Sequence, residues 1–242
     1  MSNITAMTTD YVGHDELLVL ESAVRYNQHI ADQFASVLRR LTVHSDRSPV
    51  VIDFGAGIGT ISRLFKATTG IAPLGVELDA HQRQVLNERG LEATPGLATV
   101  PDGSVDFIFS SNVMEHIEDD VEVLRELHGK LRPGGHLALW VPAFPALWTS
   151  LDDRVGHFRR YTVGSVQEAL GAAGFTACPV CHYQDSVGSV LALAFKVVGR
   201  NGQLHAGPVR LFDRWLFPVS KVLDVVCRRW FGKNVYVVAV KG

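Results

Sequence analysis

Short apolar runs alternate with amphipathic stretches along most of this chain. The runs are bounded by polar or glycine-containing segments, a pattern typical of strands that are covered on both faces of a sheet. They lie at 50–54, 71–77, 105–110, 136–142, 175–183 and 234–240. Helical patterns between them cover 58–66, 79–89, 119–131 and 163–173. The alternation predicts an α/β fold with a doubly wound sheet.

Two further regions carry helical patterns outside this alternation. Residues 15–41 have apolar side chains at three- and four-residue steps and predict one N-terminal helix, preceded by a loose segment at 1–10 and followed by a polar linker at 42–49. Near the other end, 186–198 and 208–231 predict two helices, the second kinked at Pro218. Neither stretch has the roughly 18 to 20 apolar residues that are needed to span a bilayer.

The stretch from Val50 to Thr60 organises the alternating region. A buried strand leads into Gly55-Ala56-Gly57-Ile58-Gly59, whose spacing differs from the Gly-x-Gly-x-x-Gly of dinucleotide enzymes. Glu77 follows about twenty residues later at the end of the second strand, where a doubly wound fold places a carboxylate that binds ribose hydroxyls. Asp79 is better placed as the N-cap of the next helix. A purely structural glycine turn is the alternative.

Composition and charge narrow the class of protein. The 242 residues are 47% hydrophobic, enough for a large core, and the formal net charge is −2. Residues 184–233 hold eight basic and three acidic residues, so this segment is +5 and the remainder −7, an asymmetry that favours an anionic partner. Cys178 and Cys181 form a Cys-x-x-Cys pair without the further ligands of a zinc site, so no metal is predicted. The N-terminus has no secretory pattern, which predicts a cytoplasmic protein, with peripheral membrane contact through 184–233 kept open.

Four motifs together resemble class I S-adenosylmethionine-dependent methyltransferases. They are Asp53-Phe54-Gly55-Ala56-Gly57, Gly75-Val76-Glu77, Ser111-Asn112-Val113-Met114-Glu115-His116 and Leu131-Arg132-Pro133-Gly134-Gly135. The resemblance implies a seven-stranded, mostly parallel, Rossmann-like methyltransferase sheet over 48–183 and 234–242, with an N-terminal helical cap at 1–47 and a helical insertion at 184–233. It also implies S-adenosyl-L-methionine as cofactor and S-adenosyl-L-homocysteine as product.

The resemblance assigns the cofactor-binding residues. The glycine turn would pass under the methionine part and Glu77 would hold the ribose. The full set is Tyr26, Asp53, Gly55, Ala56, Gly57, Glu77, Leu78, Thr94, Pro95, Ser111 and Asn112. Thr94 stands where the family usually has an acidic residue for the adenine amino group, so its hydroxyl or the backbone at 95–97 would read the adenine. Tyr26 either touches the cofactor from the N-terminal helix or packs with its hydroxyl at the rim.

An unusual loop at 142–162 predicts the acceptor site. It is rich in aromatic and charged residues and resembles a methyltransferase subgroup with Gly-His-x-Arg-Arg-Tyr-Thr after the fifth strand. His157 is the first candidate for a general base and His116 the second, with Tyr161 orienting the acceptor. Arg159 and Arg160 would bind an anionic group, and Trp148 an apolar one. The alternative is a salt-bridged loop in which one arginine pairs with Asp152 or Asp153.

Three functions remain in competition. The first is a methyltransferase of a small, partly apolar and anionic molecule, with the acceptor atom (O, N or C) undecided. The second is a methyltransferase of a lipid-linked or membrane-surface substrate, and the third a non-catalytic binding protein that retains the fold. The insertion at 184–233 would serve as a lid, a homodimer arm, a membrane-surface element or a cap that buries its own apolar stripe. Nucleic acid is not an expected partner, because the chain is mildly acidic and has no recognisable nucleic-acid-binding module.

Overall fold

Seven strands of the described residues form one sheet, and helices cover both of its faces. The structure is a computed structural model that describes residues 14–42, 47–197 and 205–242. Its strands are Val51–Phe54 (β1), Leu74–Val76 (β2), Ala93–Thr94 (β3), Val105–Ser111 (β4), Leu131–Pro142 (β5), Ala177–Gln184 (β6) and Asn234–Val240 (β7). Its α-helices are His14–Glu21 (α1), Val24–Thr42 (α2), Thr60–Thr69 (α3), Ala80–Glu88 (α4), Asp120–Lys130 (α5), Ser150–Arg154 (α6), Val163–Ala172 (α7), Ser186–Val197 (α8), Ala206–Leu211 (α9) and Phe217–Cys227 (α10). The segment 1–10, predicted to be loose, and part of the linker at 42–49 lie outside the described ranges.

The strand order is β3-β2-β1-β4-β5-β7-β6. Strands β1 to β5 pair in parallel, whereas β7 runs antiparallel to both β5 and β6. The predicted doubly wound, mostly parallel, seven-stranded sheet is therefore confirmed. Because the order reverses between β1 and β4, a crevice opens at the carboxyl ends of these strands, where such sheets bind their ligands.

The central strands are buried on both faces, which explains their nearly continuous apolar sequences. In β4, Phe107 and Phe109 face α2 and α3, and the ring of Phe109 stacks on that of Phe34 at 4.9 Å. Ile108 points to the other face, towards the cluster that α5 and α7 complete. β4 therefore contributes side chains to the hydrophobic clusters on both faces of the sheet.

The N-terminal helical region differs from the prediction of one helix over 15–41. The chain forms α1 and α2, and the break falls at Ser22 and Ala23. The second helix starts there because the buried Asp213 carboxylate accepts hydrogen bonds from the backbone N–H groups of Arg25 and Tyr26, at 3.0 and 2.8 Å. Because the carboxylate that caps this helix comes from a residue far along the chain, the local sequence does not indicate where the helix starts.

The start of β5 is a second correction, because the strand begins at Leu131 rather than at His136. The helix before it ends at Lys130, and the Pro-Gly-Gly segment forms an irregularity inside the strand instead of a loop. Gly134 adopts φ +72° and donates its N–H to the carbonyl of Lys241 at 2.8 Å. Pairing with the last strand therefore keeps this segment in the sheet.

The insertion between β6 and β7 contains α8, α9 and α10, with a π-helical turn at Phe212–Leu216. This turn directly precedes α10, whose first turn holds Pro218, so the predicted helix over 208–231 is divided into α9, the π-helical turn and α10. The kink at Pro218 stays a prediction. On the inner face of α10, Asp224 accepts the backbone N–H groups of Asp185 and Ser186, and Ser220 accepts that of Val187. Polar contacts therefore fix α10 to the start of α8.

The outer face of α10 is apolar and exposed. This arrangement differs from the alternative in which the insertion is a cap that buries its apolar stripe on its own domain. Ser220 and Asp224 are buried, whereas Val222 is 70% exposed and Trp215, in the π-helical turn, is 62% exposed. The other exposed apolar residues on this side are Leu211, Leu216, Val219, Leu223, Val225, Val226, Trp230 and Phe231. Within the described residues, no helix combines the length and the apolar character that crossing a membrane requires.

Candidate active site

The glycine turn after β1 has the predicted strand–turn–helix geometry. Gly55, Gly57 and Gly59 have φ values of +75°, +55° and +80°, which side chains rarely adopt. The turn is held to β2, because the N–H of Gly55 donates to the carbonyl of Val76 at 2.8 Å. A Cβ on Gly55 would lie 2.3 Å from a methyl carbon of Val113, so glycine is required here by both the backbone and the packing.

Glu77 follows β2 and joins it to the glycine turn. Its two carboxylate oxygens accept the backbone N–H groups of Gly57, at 2.8 Å, and of Asp79, at 2.9 Å. Burial raises the pKa of Glu77, although these hydrogen bonds oppose the shift. A carboxylate has about four acceptor positions, so a half-buried Glu77 retains acceptor capacity for two ligand hydroxyls. The site therefore fits a ribose at the switch point of the sheet.

Asp53 lies beneath this turn and is buried. Its carboxylate accepts the hydroxyl of Ser62, in α3, at 2.6 Å. Burial raises the pKa of Asp53 to about 7, the Ser62 hydrogen bond opposes the shift, and the nearby charge of Glu77 adds to it. Asp53 thus fixes the turn to α3 from below.

Further predicted cofactor residues lie in the turns that follow β1, β2 and β3. Asp79 accepts the N–H of Gln82 at 2.8 Å, which confirms it as the N-cap of α4. The Thr94 hydroxyl lies 3.3 Å from the Gly96 carbonyl and 3.3 Å from the Thr99 hydroxyl, so it already has partners in its own loop. Ala56 is buried, Leu78 is half-buried and Pro95 is exposed. Their contacts with a cofactor stay predictions.

Two predicted cofactor residues lie at the carboxyl end of β4. Ser111 ends the strand, and exposed Asn112 follows it with φ +55° and donates its amide to the Ser111 hydroxyl at 3.2 Å. Tyr26 lies deeper, where its hydroxyl accepts from Trp140 at 3.1 Å and from Asn234 at 2.8 Å. Both contacts favour a packing role for Tyr26, and its contact with the cofactor stays a prediction.

A second cluster lies beyond β4 and β5, where the loop at 142–162 meets the turn at 114–116. His157 Nδ1 is 2.7 Å from Asp152 Oδ1, and its Nε2 is 3.9 Å from Glu115 Oε1. The ring centroids of His116 and His157 are 4.5 Å apart, and those of Trp148 and His157 are 6.4 Å apart. The structure therefore brings both candidate bases and the candidate apolar contact together.

Asp152 orients this cluster. Arg160 binds both of its oxygens, with Nε to Oδ1 at 2.7 Å and Nη2 to Oδ2 at 3.0 Å. Burial by itself would raise the pKa of Asp152, but the hydrogen bonds from His157 and Arg160 outweigh it and hold the pKa well below its usual range. An ionised Asp152 can only accept, so His157 donates through Nδ1 and leaves the Nε2 lone pair available.

The remaining predicted acceptor residues are bonded within the protein. Arg159 donates to Asp120 at 2.7 Å and also to the carbonyl of Glu118. The Tyr161 hydroxyl is 2.6 Å from the other oxygen of Asp120, and burial together with this carboxylate raises its pKa. Arg160 is thus paired with Asp152 as in the alternative of a salt-bridged loop, whereas Arg159 pairs with Asp120 outside the loop. Their binding of an acceptor, like the catalytic role of Tyr161, stays a prediction.

Glu115 is the residue of this region to which the sequence assigned no role. It lies inside the quoted motif beside His116, but its neighbour His157 is far away in the sequence, so only the fold brings the two together. Its side chain is fully buried, and neither carboxylate oxygen has a hydrogen-bond partner in another residue. Burial raises the pKa of Glu115 to about 8. The sequence signal that could have indicated a role for Glu115 is its position next to His116, shortly after the end of β4.

Comparisons with known proteins agree with this geometry. The family model described as a methyltransferase domain matches residues 26–180. An uncharacterized methyltransferase of Mycolicibacterium gilvum is 30% identical over 235 residues, which cover 86% of this chain and 88% of that protein. The 2-methyl-6-phytyl-1,4-hydroquinone methyltransferase of Synechocystis is 30% identical over 116 residues, 43% of this chain and 33% of that protein.

Solved structures share the fold at low sequence identity. The crystal structure of a SAM-dependent methyltransferase from Archaeoglobus fulgidus has a TM-score of 0.54 and 17% identity, and the match covers 87% of this chain and 94% of that one. At this identity, the likeness shows a common fold. The seven-stranded sheet and its helices are thus those of known methyltransferases.

Proposed function

Since this chain belongs to the methyltransferase-domain family, we propose that it transfers the methyl group of S-adenosyl-L-methionine to a small, partly apolar acceptor. The observation that carries the proposal is the arrangement of Glu77 and Gly57 at the switch point of the sheet. A carboxylate fixed to the glycine turn by one oxygen and to the next helix by the other is preorganised for a ribose. Glu77 would hold the sugar hydroxyls, and the turn would pass under the methionine part.

The cofactor supplies an activated methyl group on its sulfonium, so the protein has to position the acceptor and exclude water. Trp148 offers an apolar surface beside His157, and its indole N–H is fixed by Asp153 at 2.8 Å. His157 is the candidate to remove a proton from an acceptor hydroxyl or amine, because Asp152 fixes its ring and leaves Nε2 available. Arg159 and Arg160 are paired internally, so the proposal includes no anionic group on the acceptor.

Transfer of a labelled methyl group tests this function. The protein is incubated with methyl-labelled S-adenosyl-L-methionine and with fractions of a cell extract that span a range of polarity. We expect a labelled small product from an apolar fraction, and a loss of about 100-fold in its rate for His157→Ala. His136→Ala is the matched control, because this histidine lies at the opposite end of β5, near Gly134. The absence of product in every fraction, together with absent cofactor binding by calorimetry, would favour the non-catalytic binding protein.

A membrane-surface substrate is the second candidate, and the outward-facing apolar side of α10 favours it. Basic residues border the exposed apolar ones, and Arg214 lies over the Trp215 ring, 5.4 Å from its centre. A helix with an apolar face and basic flanks suits the interface of an anionic bilayer. The Synechocystis relative is named for a phytyl-bearing hydroquinone, which supports an apolar acceptor. Salt-sensitive binding to anionic vesicles is the measurement for this candidate.

A further inference from the structure

The buried carboxylate of Glu115 has no partner that would explain its position. It is 0% exposed, and neither of its oxygens has a hydrogen-bond partner in another residue. The charge of Arg160 acts on Glu115, but the guanidinium itself is hydrogen-bonded to both oxygens of Asp152. A buried carboxylate in this situation must either take up a proton or bind a cation, because its charge is otherwise uncompensated.

Two histidines face this carboxylate. His157 directs Nε2 towards Glu115 Oε1 at 3.9 Å, while its Nδ1 is held by Asp152. A carboxylate on the far nitrogen of the imidazole is the arrangement that orients metal-binding histidines in proteins. His116 lies against His157, and its ring hydrogen-bonds to the backbone of Val155 and Gly156.

The side-chain types of the cluster suit a ligand role. Neutral imidazoles and a carboxylate are the forms that bind divalent metals. The cluster has two histidines and one carboxylate, a set used by zinc and by non-haem iron.

We propose that Glu115, His116 and His157 form a binding site for a divalent transition-metal ion, with zinc as the ion to test first. One ligand atom from each residue lies within 4.8 Å of the other two. Ligands at about 2.0–2.2 Å from one ion stand about 3.4 Å apart in a tetrahedral shell and at most about 4.4 Å apart. The separation of 3.9 Å between His157 Nε2 and Glu115 Oε1 is inside that limit. The other atom pairs are within 4.8 Å, so the three side chains would have to move closer together to complete the shell.

Three protein ligands leave at least one coordination position for water or for an acceptor oxygen. A bound ion would lower the pKa of that oxygen and make its proton easier to remove. The same Nε2 cannot hold an ion and accept a proton at once, so in the loaded protein the ion takes over the function assigned to His157. This consequence rests on the proposed function, whereas binding of the ion does not.

The experiment measures zinc binding directly. Chelator-treated protein is titrated with Zn²⁺ against a chromophoric chelator, and with Co²⁺ while the visible spectrum is followed. All proteins carry Cys178→Ser and Cys181→Ser, so that the two thiols of β6 cannot bind the ion. The variants are Glu115→Gln, His157→Gln and Asp152→Asn, and His136→Gln is the matched control.

We expect one Zn²⁺ per chain, a Co²⁺ spectrum of low coordination number, and an affinity unchanged in the His136 variant. Loss of Glu115 or His157 should weaken Zn²⁺ binding about 100-fold or more, and Asp152→Asn about 10- to 100-fold. Absent Zn²⁺ binding, or equal affinity in the Glu115 variant and its parent, would overturn the proposal. Binding of S-adenosyl-L-homocysteine is measured by calorimetry on the same samples. Glu77 and the glycine turn are outside the metal cluster, so retained binding shows that a variant is folded and tests the proposed function independently of the metal site.

Discussion

The acidic side chains near the carboxyl ends of the strands show how hydrogen-bond partners determine the pKa of a buried carboxylate. Asp152 is buried but accepts from Arg160 and His157, and its pKa is held low. Asp53 is equally buried but has one hydroxyl partner, and Glu115 has no partner in another residue, so burial raises the pKa of both. Burial therefore predicts a charge state only together with the list of donors that reach the group.

Asp53 gives the stability of the protein a defined pH dependence. Its pKa is raised from 3.8 to about 7 in the folded state, so between these values the folded protein binds more protons than the unfolded chain. The free energy of unfolding therefore falls as pH rises from about 4 to about 7, by up to about 4 kcal/mol from this group. Asp53→Asn keeps an acceptor for Ser62 and removes the dependence.

Urea unfolding at pH 5 and pH 8 measures this effect. The free energy of unfolding of Asp53→Asn minus that of the wild type should be larger at pH 8 than at pH 5. The reason is that only the wild type must bury an ionised carboxylate at pH 8. An equal difference at both pH values would show that Asp53 titrates normally in the folded protein. Asp102→Asn is the control, since that carboxylate is on the surface and pairs with Lys130.

At the scale of elements, the glycine turn carries two separate constraints. Gly55 and Gly70 have nearly equal φ values, +75° and +77°, but a Cβ on Gly70 would meet nothing within 4 Å, whereas one on Gly55 would overlap Val113. The Gly70→Ala variant therefore measures the backbone strain alone, about 1 kcal/mol. Gly55→Ala should lose about 3 kcal/mol or more, because overpacking adds to the strain.

A double-mutant cycle separates the two contributions. Val113→Ala should recover part of the loss in the Gly55→Ala background, and it should have no such effect in the Gly70→Ala background. Chemical denaturation of the single and double variants gives these free energies of unfolding. Equal losses for Gly55→Ala and Gly70→Ala would contradict the packing that the structure assigns to the turn.

Local signals predicted the elements well where the stabilising contacts are local. Asp79 caps α4 three residues ahead of the N–H that it accepts, and that spacing is visible in the sequence. The division of the N-terminal helix was not predictable, because its N-cap is supplied by Asp213. The pairing of Arg160 with Asp152 had been one of several combinations, and the fold decides among them.

At the scale of the whole molecule, the alternation of patterns was sufficient to predict the sheet and its crevice. It could not predict which side of α10 faces the domain, because an amphipathic sequence has two faces and polar groups can be buried when they are bonded. Ser220 and Asp224 are such groups, and they turn the apolar side outwards. An exposed apolar face of this kind marks a contact surface.

Vesicle binding tests whether that surface meets a membrane. The protein should pellet with vesicles of phosphatidylglycerol and phosphatidylcholine at low salt, and less with phosphatidylcholine alone or at high salt. Trp215→Ser and Val222→Ser should weaken binding several-fold, while Val50→Ser, an exposed apolar position outside α10, should not. No pelleting at low salt, with a concentration-dependent doubling of mass in sedimentation, would identify the surface as a dimer contact instead.

The most direct test of the central claim is calorimetric binding of S-adenosyl-L-homocysteine to the wild type and to Glu77→Ala, with Glu92→Gln, an exposed acid before β3, as control. Two charge-assisted hydrogen bonds to the ribose are worth about 3 kcal/mol together, so Glu77→Ala should bind about 100-fold more weakly while the control is unchanged. Thermal unfolding of each variant verifies that the variant is folded. Unaltered affinity in a folded Glu77→Ala protein would contradict the placement of the cofactor.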